Sequence, residues 1–145
     1  TRHEILIRDS TEPVRFKTSK GCIVVTGKWL GPYTGQTFLQ ASDLDIDHVV
    51  PLAYAHRNGG ASWDKERKME FANDPDNLLA VDDSTNQSKG SKGPAEWRPP
   101  KKDYWCEYSE KWRRVKTRYN LITSKQEERM LKEIQQECDG RDSEN

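Results

Sequence analysis

The sequence predicts an α+β fold with a small antiparallel sheet, a unit of two short strands and one helix, and a helical hairpin near the C-terminus. Three observations predict it. Residues 21–39 hold two short apolar runs on either side of a Gly-Pro turn. Two more strand-like runs, near 45–50 and 76–81, precede a helix signal. Apolar residues then recur at helical spacing through 104–138.

The N-terminal third supplies the predicted sheet. His3 to Arg8 alternates weakly in polarity and predicts a strand with Ile5 and Ile7 facing the core. Residues 21–29 predict a second strand. After a turn at 31–35, a short partner strand is expected to end at Leu39.

The segment Asp45-Ile46-Asp47-His48-Val49-Val50-Pro51 predicts a fourth strand, which the proline ends. Neighbouring side chains on an ideal strand point to opposite faces. Asp47 and His48 can therefore act on one target only if the strand breaks into a loop at that pair.

Helix signals lie on both sides of a fifth predicted strand, at 76–81. We expect one helical turn at 54–57 and a helix at 64–72 with Ser62 as its N-cap. Ser84 is the expected N-cap of the helix after the strand at 76–81. Ser124 and Glu127 form a capping box for a last helix. The aromatic stripe of the long helix before it is expected to be core: Tyr104, Tyr108, Trp112 and Tyr119.

Length and composition predict a single domain over 1–145, with a core unit at about 43–93 and C-terminal helices at about 103–138. Hydrophobic residues make up 32% of the chain and charged residues 33%, so the core is modest. No run of 18 apolar residues occurs, which argues against a membrane span. No signal-like segment stands at the start, and we expect a trimmed or mature product.

The net charge is zero, but it is unevenly distributed. Residues 40–85 hold ten acids and four bases, and residues 86–119 hold ten bases and four acids. An acidic segment beside a basic one suits a metal site next to a phosphate-binding surface. Two solvated faces would give the same pattern, and the charges alone leave both interpretations open.

The chain has three cysteines and no Cys-x-x-Cys pair, so a structural zinc site is not expected. Cys106 and Cys138 lie sixteen residues on either side of Ile122. If the two last helices form a hairpin that turns there, the cysteines meet at its open end. The sequence therefore predicts this disulfide, which by the chain-entropy model stabilises by about 3 to 4 kcal/mol.

Three side chains around the predicted strands and helix carry chemistry. The carboxylate of Asp47 and the carboxamide of Asn86 are hard oxygen ligands suited to Mg²⁺. A histidine beside them titrates ordinarily near pH 6.5 and can take a proton from water. Hydrolysis assisted by a Lewis acid and a general base could run on this set.

These residues and their order resemble the HNH, or ββα-metal, nuclease family. Asp47-His48 matches the family's Asp-His, Asn77 its middle asparagine and Asn86 its helix asparagine. The flanks DxDHVVP and NxxKG also fit, and the similarity to secreted bacterial HNH nucleases extends from TRHEIL through GPAEWRPP to the WxxVKxRYxL tail.

The resemblance implies a domain that cleaves DNA, with RNA as the second candidate substrate, and that leaves 5′-phosphate ends. Little sequence preference is expected, because the sequence shows no zinc-finger, homeodomain or coiled-coil pattern that would read base edges. It implies His48 as general base, with Asn77 as a catalytic residue that holds the loop or the His48 ring rather than the metal. Asp47 and Asn86 would hold one divalent cation, Mg²⁺ before Mn²⁺. Phosphate contacts are expected from Lys89, Arg2, Lys92 and Arg98.

Several points stay open at this stage. Asp45 could support the site or be an ordinary exposed acid, and Trp97 could stack on a base or be core. The family often has a cysteine before the TR segment, so Cys22 is expected to have lost its partner by truncation. The disulfide and the resemblance predict a secreted or periplasmic monomer. Rival hypotheses are a toxin or restriction effector controlled by an inhibitor protein, and a non-catalytic nucleic-acid-binding module.

Overall fold

A computed structural model describes residues 1–19 and 21–144. The fold is α+β, as the sequence predicts. Its helices are α1 (Arg2–Asp9), α2 (Leu52–Arg57), α3 (Lys65–Ala72), α4 (Asp83–Lys89), α5 (Trp105–Arg118) and α6 (Lys125–Glu144). Its strands are β1 (Arg15–Phe16), β2 (Val24–Leu30), β3 (Thr37–Gln40), β4 (Leu44–His48) and β5 (Leu78–Asp82).

The first helix corrects one prediction. Residues 3–8 were expected to form a strand with Ile5 and Ile7 inward, but they lie in α1, where Ile7 is 47% exposed. The buried pair is Ile5 and Leu6, because the helix turns consecutive residues toward the core. Glu4 in the first turn and Arg8 in the last turn match the helix dipole.

The predicted small antiparallel sheet is formed by β1, β2 and β3, in that order. The indole N–H of Trp29 on β2 donates to the carbonyl oxygen of Leu6 at 2.9 Å, which fixes α1 on this sheet. A core cluster, the sheet core, surrounds Trp29 and consists of Ile5, Leu6, Val24, Trp29, Ala41, Leu44, Leu78 and Ala80.

Strands β4 and β5 pair antiparallel with Leu44 opposite Asp82 and His48 opposite Leu78. Helix α4 follows β5 directly, so the predicted strand–strand–helix unit is present. The N-cap of α4 is Asp82, whose Oδ2 accepts from the Thr85 amide at 3.0 Å, rather than the predicted Ser84. The N-cap of α3 is Asp64 rather than the predicted Ser62. In both cases the carboxylate lies three residues before the amide that it caps.

The second cluster, the helical core, joins β5 to the C-terminal helices. Its buried members are Tyr33, Val49, Val50, Ala55, Phe71, Val81, Tyr108, Trp112, Val115, Tyr119, Leu121 and Leu131. Three residues of the predicted aromatic stripe, Tyr108, Trp112 and Tyr119, are therefore core. The fourth, Tyr104, lies just before α5 and packs against this core while half-buried. Trp97 is half-buried and packs edge-on against Tyr33, with ring centroids 5.2 Å apart, which favours the core interpretation of this residue.

Helices α5 and α6 pack together and carry the predicted disulfide, Cys106–Cys138, with Cα atoms 6.0 Å apart. Ser124 caps α6 by accepting from the Glu127 amide at 3.1 Å. The Glu127 side chain does not complete the capping box, because it pairs with the buried Lys116 and accepts a hydrogen bond from Tyr54. Cys22 is a free, exposed cysteine. Within the described residues, no helix has the length and apolar character needed to cross a bilayer.

Candidate active site

Asp47, His48 and Asn86 line one open cavity of about 240 Å³. Strand β4 ends at His48, and the chain bends through Val49 and Val50 before Pro51, the N-cap of α2. The predicted break therefore occurs at the Asp-His pair, and it lets both side chains reach the same space. Asn86 comes from the middle of α4, and Gly90 just after that helix completes the far wall.

The imidazole of His48 is held by a backbone group. Its Nε2 lies 2.8 Å from the carbonyl oxygen of Ala72, the last residue of α3. A carbonyl oxygen can only accept, so Nε2 carries the proton of this bond. In the neutral ring Nδ1 is then the unprotonated nitrogen, which is the form that a general base requires.

The carboxylate of Asp47 is 4% exposed and is fixed from two directions. Its Oδ2 accepts from the Tyr33 hydroxyl at 2.6 Å, and its Oδ1 from the Lys89 ammonium at 3.2 Å. Burial raises the pKa of the Asp47 carboxyl, while Lys89 and Tyr33 oppose that shift. Burial and the charge of Asp47 raise the pKa of Tyr33 well above its ordinary value, so the phenol remains the donor.

Lys89 does not have the predicted role of an exposed phosphate contact. Its side chain is 0% exposed, and Nζ donates to the carbonyl oxygens of His48 at 2.9 Å and Val49 at 3.0 Å as well as to Asp47. Burial lowers the pKa of Lys89. The three acceptors nevertheless match the three N–H donors of an ammonium group, so we assign an ion pair. The position of Lys89 three residues after Asn86 on a helix predicts a side chain that faces a phosphate. In the structure, α4 instead turns Lys89 under the bend after β4.

Asp45 settles the orientation of Asn86. The Asn86 Nδ2 donates to Asp45 Oδ2 at 3.2 Å, since a carboxylate can only accept. The carboxamide oxygen of Asn86 is consequently the atom left for the cavity, and in the described part of the chain it accepts no hydrogen bond. Asp45 is therefore a supporting residue for Asn86, an alternative that the sequence left open.

Asn77 is fully buried and holds the loop, as expected for this residue. Its Oδ1 accepts from the Val50 amide at 2.8 Å and its Nδ2 donates to the Val50 carbonyl oxygen at 3.1 Å. Its own carbonyl oxygen accepts from the Val49 amide at 2.9 Å. These bonds fix the bend that follows His48, so Asn77 acts on the site through the backbone.

The structure rules out only one of the other three predicted phosphate contacts, Arg2, and leaves Arg98 and Lys92 as predictions. The Arg2 guanidinium donates to the carbonyl oxygens of Ala41 at 2.9 Å and Leu44 at 3.0 Å, at the opposite end of β4 from His48. Arg2 therefore ties α1 to β4 instead of lying at the cavity, because those carbonyls offer it local acceptors. Arg98 donates to the Pro94 carbonyl oxygen at 2.7 Å, and Lys92 is exposed beyond α4. Contacts of Arg98 and Lys92 with nucleic acid stay predictions.

The residues at the cavity fit a hard divalent cation with few protein ligands. The Asp47 carboxylate and the Asn86 carboxamide oxygen are both oxygen donors on its wall. Among the residues that the structure describes, no group of three or more His, Cys, Asp or Glu side chains could enclose a metal. A cation here would keep water or substrate oxygens in its other positions, as Mg²⁺ does.

Sequence patterns did not predict two groups that hold the site residues in place. Tyr33 lies in the turn before β3 and contacts Asp47 over a separation of 14 residues. The Ala72 carbonyl is a backbone atom, and its identity carries no local signal. The Gly-Pro pair before Tyr33 predicts a turn, but it does not indicate that the Tyr33 ring packs into the helical core.

Comparisons with known proteins place the chain in a nuclease family. The family model described as "GmrSD restriction endonucleases, C-terminal domain" matches residues 1–134. The chain is also similar to a protein named "Uncharacterized secreted protein" from Arthroderma benhamiae (strain ATCC MYA-4681 / CBS 112371). The two are 43% identical over 140 residues, which cover 95% of this chain and 67% of the relative. No solved structure matches the chain.

Proposed function

The chain belongs to the family of GmrSD restriction endonuclease C-terminal domains, and on that premise we propose that it is a metal-dependent endonuclease of the HNH type, acting on the phosphodiester bonds of DNA. One observation carries the proposal. The same cavity is lined by a tethered imidazole, a carboxylate and an oriented carboxamide, His48, Asp47 and Asn86.

His48 is the general base. Its Nε2–H is committed to the Ala72 carbonyl at 2.8 Å, which leaves Nδ1 to take a proton from a water molecule. The bond to Ala72 also stabilises the imidazolium that forms, because its N–H remains paired with an acceptor. A general base accepts a proton, so the imidazole must be neutral before the step begins.

The hydrolysis balances with water and the phosphodiester as its only reactants. The water O–H bond breaks as its proton passes to Nδ1, and the water oxygen forms the new bond to phosphorus. The bond from phosphorus to the 3′ oxygen breaks, and that oxygen then takes a proton from solvent. The His48 imidazolium returns its proton to solvent, which restores the neutral ring. The products are a 5′-phosphate and a 3′-hydroxyl end.

Asp47 and Asn86 would hold one divalent cation, with Mg²⁺ preferred and Mn²⁺ able to replace it. When bound, the cation supplies Lewis-acid stabilisation of negative charge on the phosphate and on the departing oxygen. The chain itself provides the orientation, through Tyr33 and Lys89 on Asp47 and through Asp45 on Asn86.

The substrate is expected to be held mainly through its backbone. Exposed Lys92 follows α4 and half-buried Arg98 lies further along the basic segment, so both are candidates to contact phosphates. We propose little sequence specificity, since phosphate contacts alone carry no sequence information. RNA has the same phosphodiester linkage and is the second polymer to test.

We also propose that the protein is exported. The Cys106–Cys138 disulfide persists in oxidising compartments and is rare in the reducing cytosol. The relative at 43% identity is named a secreted protein, which supports the same compartment for this chain.

The test is incubation of the purified protein with supercoiled plasmid and Mg²⁺. We expect nicked and linear products that disappear when a chelator is added and that carry 5′-phosphates. The His48→Ala variant is the matched control for a contaminating nuclease. Cleavage that survives the chelator, or that His48→Ala shares with the parent, would overturn the proposal.

A further inference from the structure

Tyr33 reaches Asp47 from outside the β4–β5–α4 unit. It lies in the turn between β2 and β3, and its ring is 0% exposed. Three aromatic rings surround it edge-on, with centroid distances of 5.2 Å to Trp97, 5.8 Å to Tyr104 and 6.1 Å to Tyr108. The ring therefore cannot reorient without disturbing the helical core.

The hydroxyl of the Tyr33 ring contacts Asp47, the candidate cation ligand. It donates to Asp47 Oδ2 at 2.6 Å, while Lys89 donates to Oδ1 at 3.2 Å. Each carboxylate oxygen has two lone-pair sites, so each keeps one after these bonds. Two donors on different oxygens fix the rotation of the carboxylate about its own axis, which a single donor would leave free.

We propose that Tyr33 is a positioning residue for the cation: it holds the Asp47 carboxylate in the rotation from which a divalent ion is bound. This inference rests on the proposed function, because it takes Asp47 as a cation ligand. Lys89 neutralises the carboxylate but draws it toward the bend after β4. The Tyr33 hydroxyl is uncharged, so it restrains Asp47 without competing electrostatically with the cation.

The test is the affinity for Mn²⁺, measured by calorimetry on Tyr33→Phe. This substitution removes one oxygen atom and keeps the ring in its aromatic surroundings. Hydrogen-bond partners of metal ligands typically contribute 10- to 100-fold to metal affinity, so we expect a loss of about tenfold. Cleavage should fall at limiting Mn²⁺ and recover toward the parent rate as Mn²⁺ approaches saturation, which a purely structural defect would not do.

Tyr119→Phe is the matched control. The Tyr119 hydroxyl donates to the Asp74 carboxylate at 2.7 Å, and its ring is buried in the same helical core. Both variants lose a tyrosine–carboxylate hydrogen bond, so both should unfold at a lower temperature. Only Tyr33→Phe should bind Mn²⁺ more weakly.

Placing 4-aminophenylalanine at position 33 restores a donor on the same ring and should restore Mn²⁺ affinity. It also provides a folded variant if Tyr33→Phe does not fold. An affinity of Tyr33→Phe within about twofold of the parent would overturn the proposal, as would an equal loss in Tyr119→Phe. A folded 4-aminophenylalanine variant with unrecovered affinity would overturn it as well.

Asp47→Ala separates this inference from the proposed function. If Asp47→Ala loses Mn²⁺ binding and Tyr33→Phe does not, the positioning role alone is wrong. If Asp47→Ala binds Mn²⁺ as the parent does, the ligand assignment fails, and the role of Tyr33 fails with it.

Discussion

His48 at the end of β4 donates its Nε2–H to the carbonyl oxygen of Ala72 at the end of α3, at 2.8 Å. The two residues are 24 positions apart, and the bond spans the segment that separates the two paired strands. It fixes both the tautomer and the direction of the imidazole, and it leaves Nδ1 as the unprotonated nitrogen of the neutral ring. The strongest prediction about activity follows from this contact.

Replacing His48 with alanine should reduce plasmid cleavage by about 10² to 10⁴-fold, the usual contribution of a positioned general base. Binding of Mn²⁺ and of DNA should change little, because neither uses Nδ1. Single-turnover cleavage assays and anisotropy with a labelled oligonucleotide measure the two effects. His56→Ala, an exposed histidine on α2, is the control and should cleave as the parent does. A loss of less than about fivefold in His48→Ala would remove this residue as the base.

Asp47→Ala and Asn86→Ala should each weaken Mn²⁺ binding measurably, because each removes one of the two oxygen donors on the cavity wall. Isothermal titration calorimetry gives the affinities directly. Asp43→Ala, at an exposed position before β4, serves as a charge control for the first variant. Parent-like affinity in both site variants would show that the ligands were assigned to the wrong residues.

Lys89→Met should destabilise the protein by about 3 to 5 kcal/mol, since it leaves the buried Asp47 carboxylate without its cationic partner. Urea unfolding at neutral pH measures this. The same substitution at exposed Lys92 should change the free energy of unfolding by no more than about 0.5 kcal/mol. Equal stability of the two variants would contradict the buried ion pair and return Lys89 to the surface role that its sequence position suggested.

Removing the disulfide with Cys106→Ser and Cys138→Ser together should lower the free energy of unfolding by about 3 to 4 kcal/mol, given the separation of 32 residues. Denaturant unfolding of the double variant and the parent provides the comparison. Cys22→Ser is the control, because that thiol is free and exposed. Tryptic mapping of the non-reduced parent should show the two segments linked, and finding two free thiols there would refute the bond.

Asp74 should make stability depend on pH in the acid range. Burial raises the pKa of this carboxyl, but hydrogen bonds from Tyr119 and Arg118 outweigh burial and hold the pKa below its ordinary value. The unfolded chain then takes up the proton first, so the stabilisation is complete above the ordinary pKa of about 3.9 and is lost as pH falls through the lower, native pKa.

Asp74→Asn should therefore destabilise the protein at pH 7, and the difference from the parent should shrink as the pH is lowered below about 4. Urea unfolding at a series of pH values measures this difference. Asp43→Asn at its exposed position should show no such trend. A destabilisation by Asp74→Asn that is the same at neutral and acid pH would assign the effect to packing rather than to charge.

By itself, the sequence determined the features that depend on local order. The Asp-His pair before Val-Val-Pro predicted a strand that breaks at His48, and that break is where the cavity opens. The spacing of aromatic residues predicted α5 as a core helix, and the symmetric positions of Cys106 and Cys138 predicted their bond. Helical periodicity and turn residues depend only on neighbouring residues, so the sequence indicates them directly. The disulfide is the exception, because it joins residues 32 apart and follows from the placement of the two cysteines about the predicted hairpin turn.

Only the tertiary structure decided which groups support the site. Weak alternation at residues 3–8 was compatible with a strand, but packing of Ile5 and Leu6 against Trp29 selected α1. Lys89 became an internal partner of Asp47, 42 residues away, and Tyr33 reached the same carboxylate from the first sheet. These contacts join segments that are distant in sequence. Burial and the need to satisfy polar groups inside the core choose such partners, and neither is written in the local pattern.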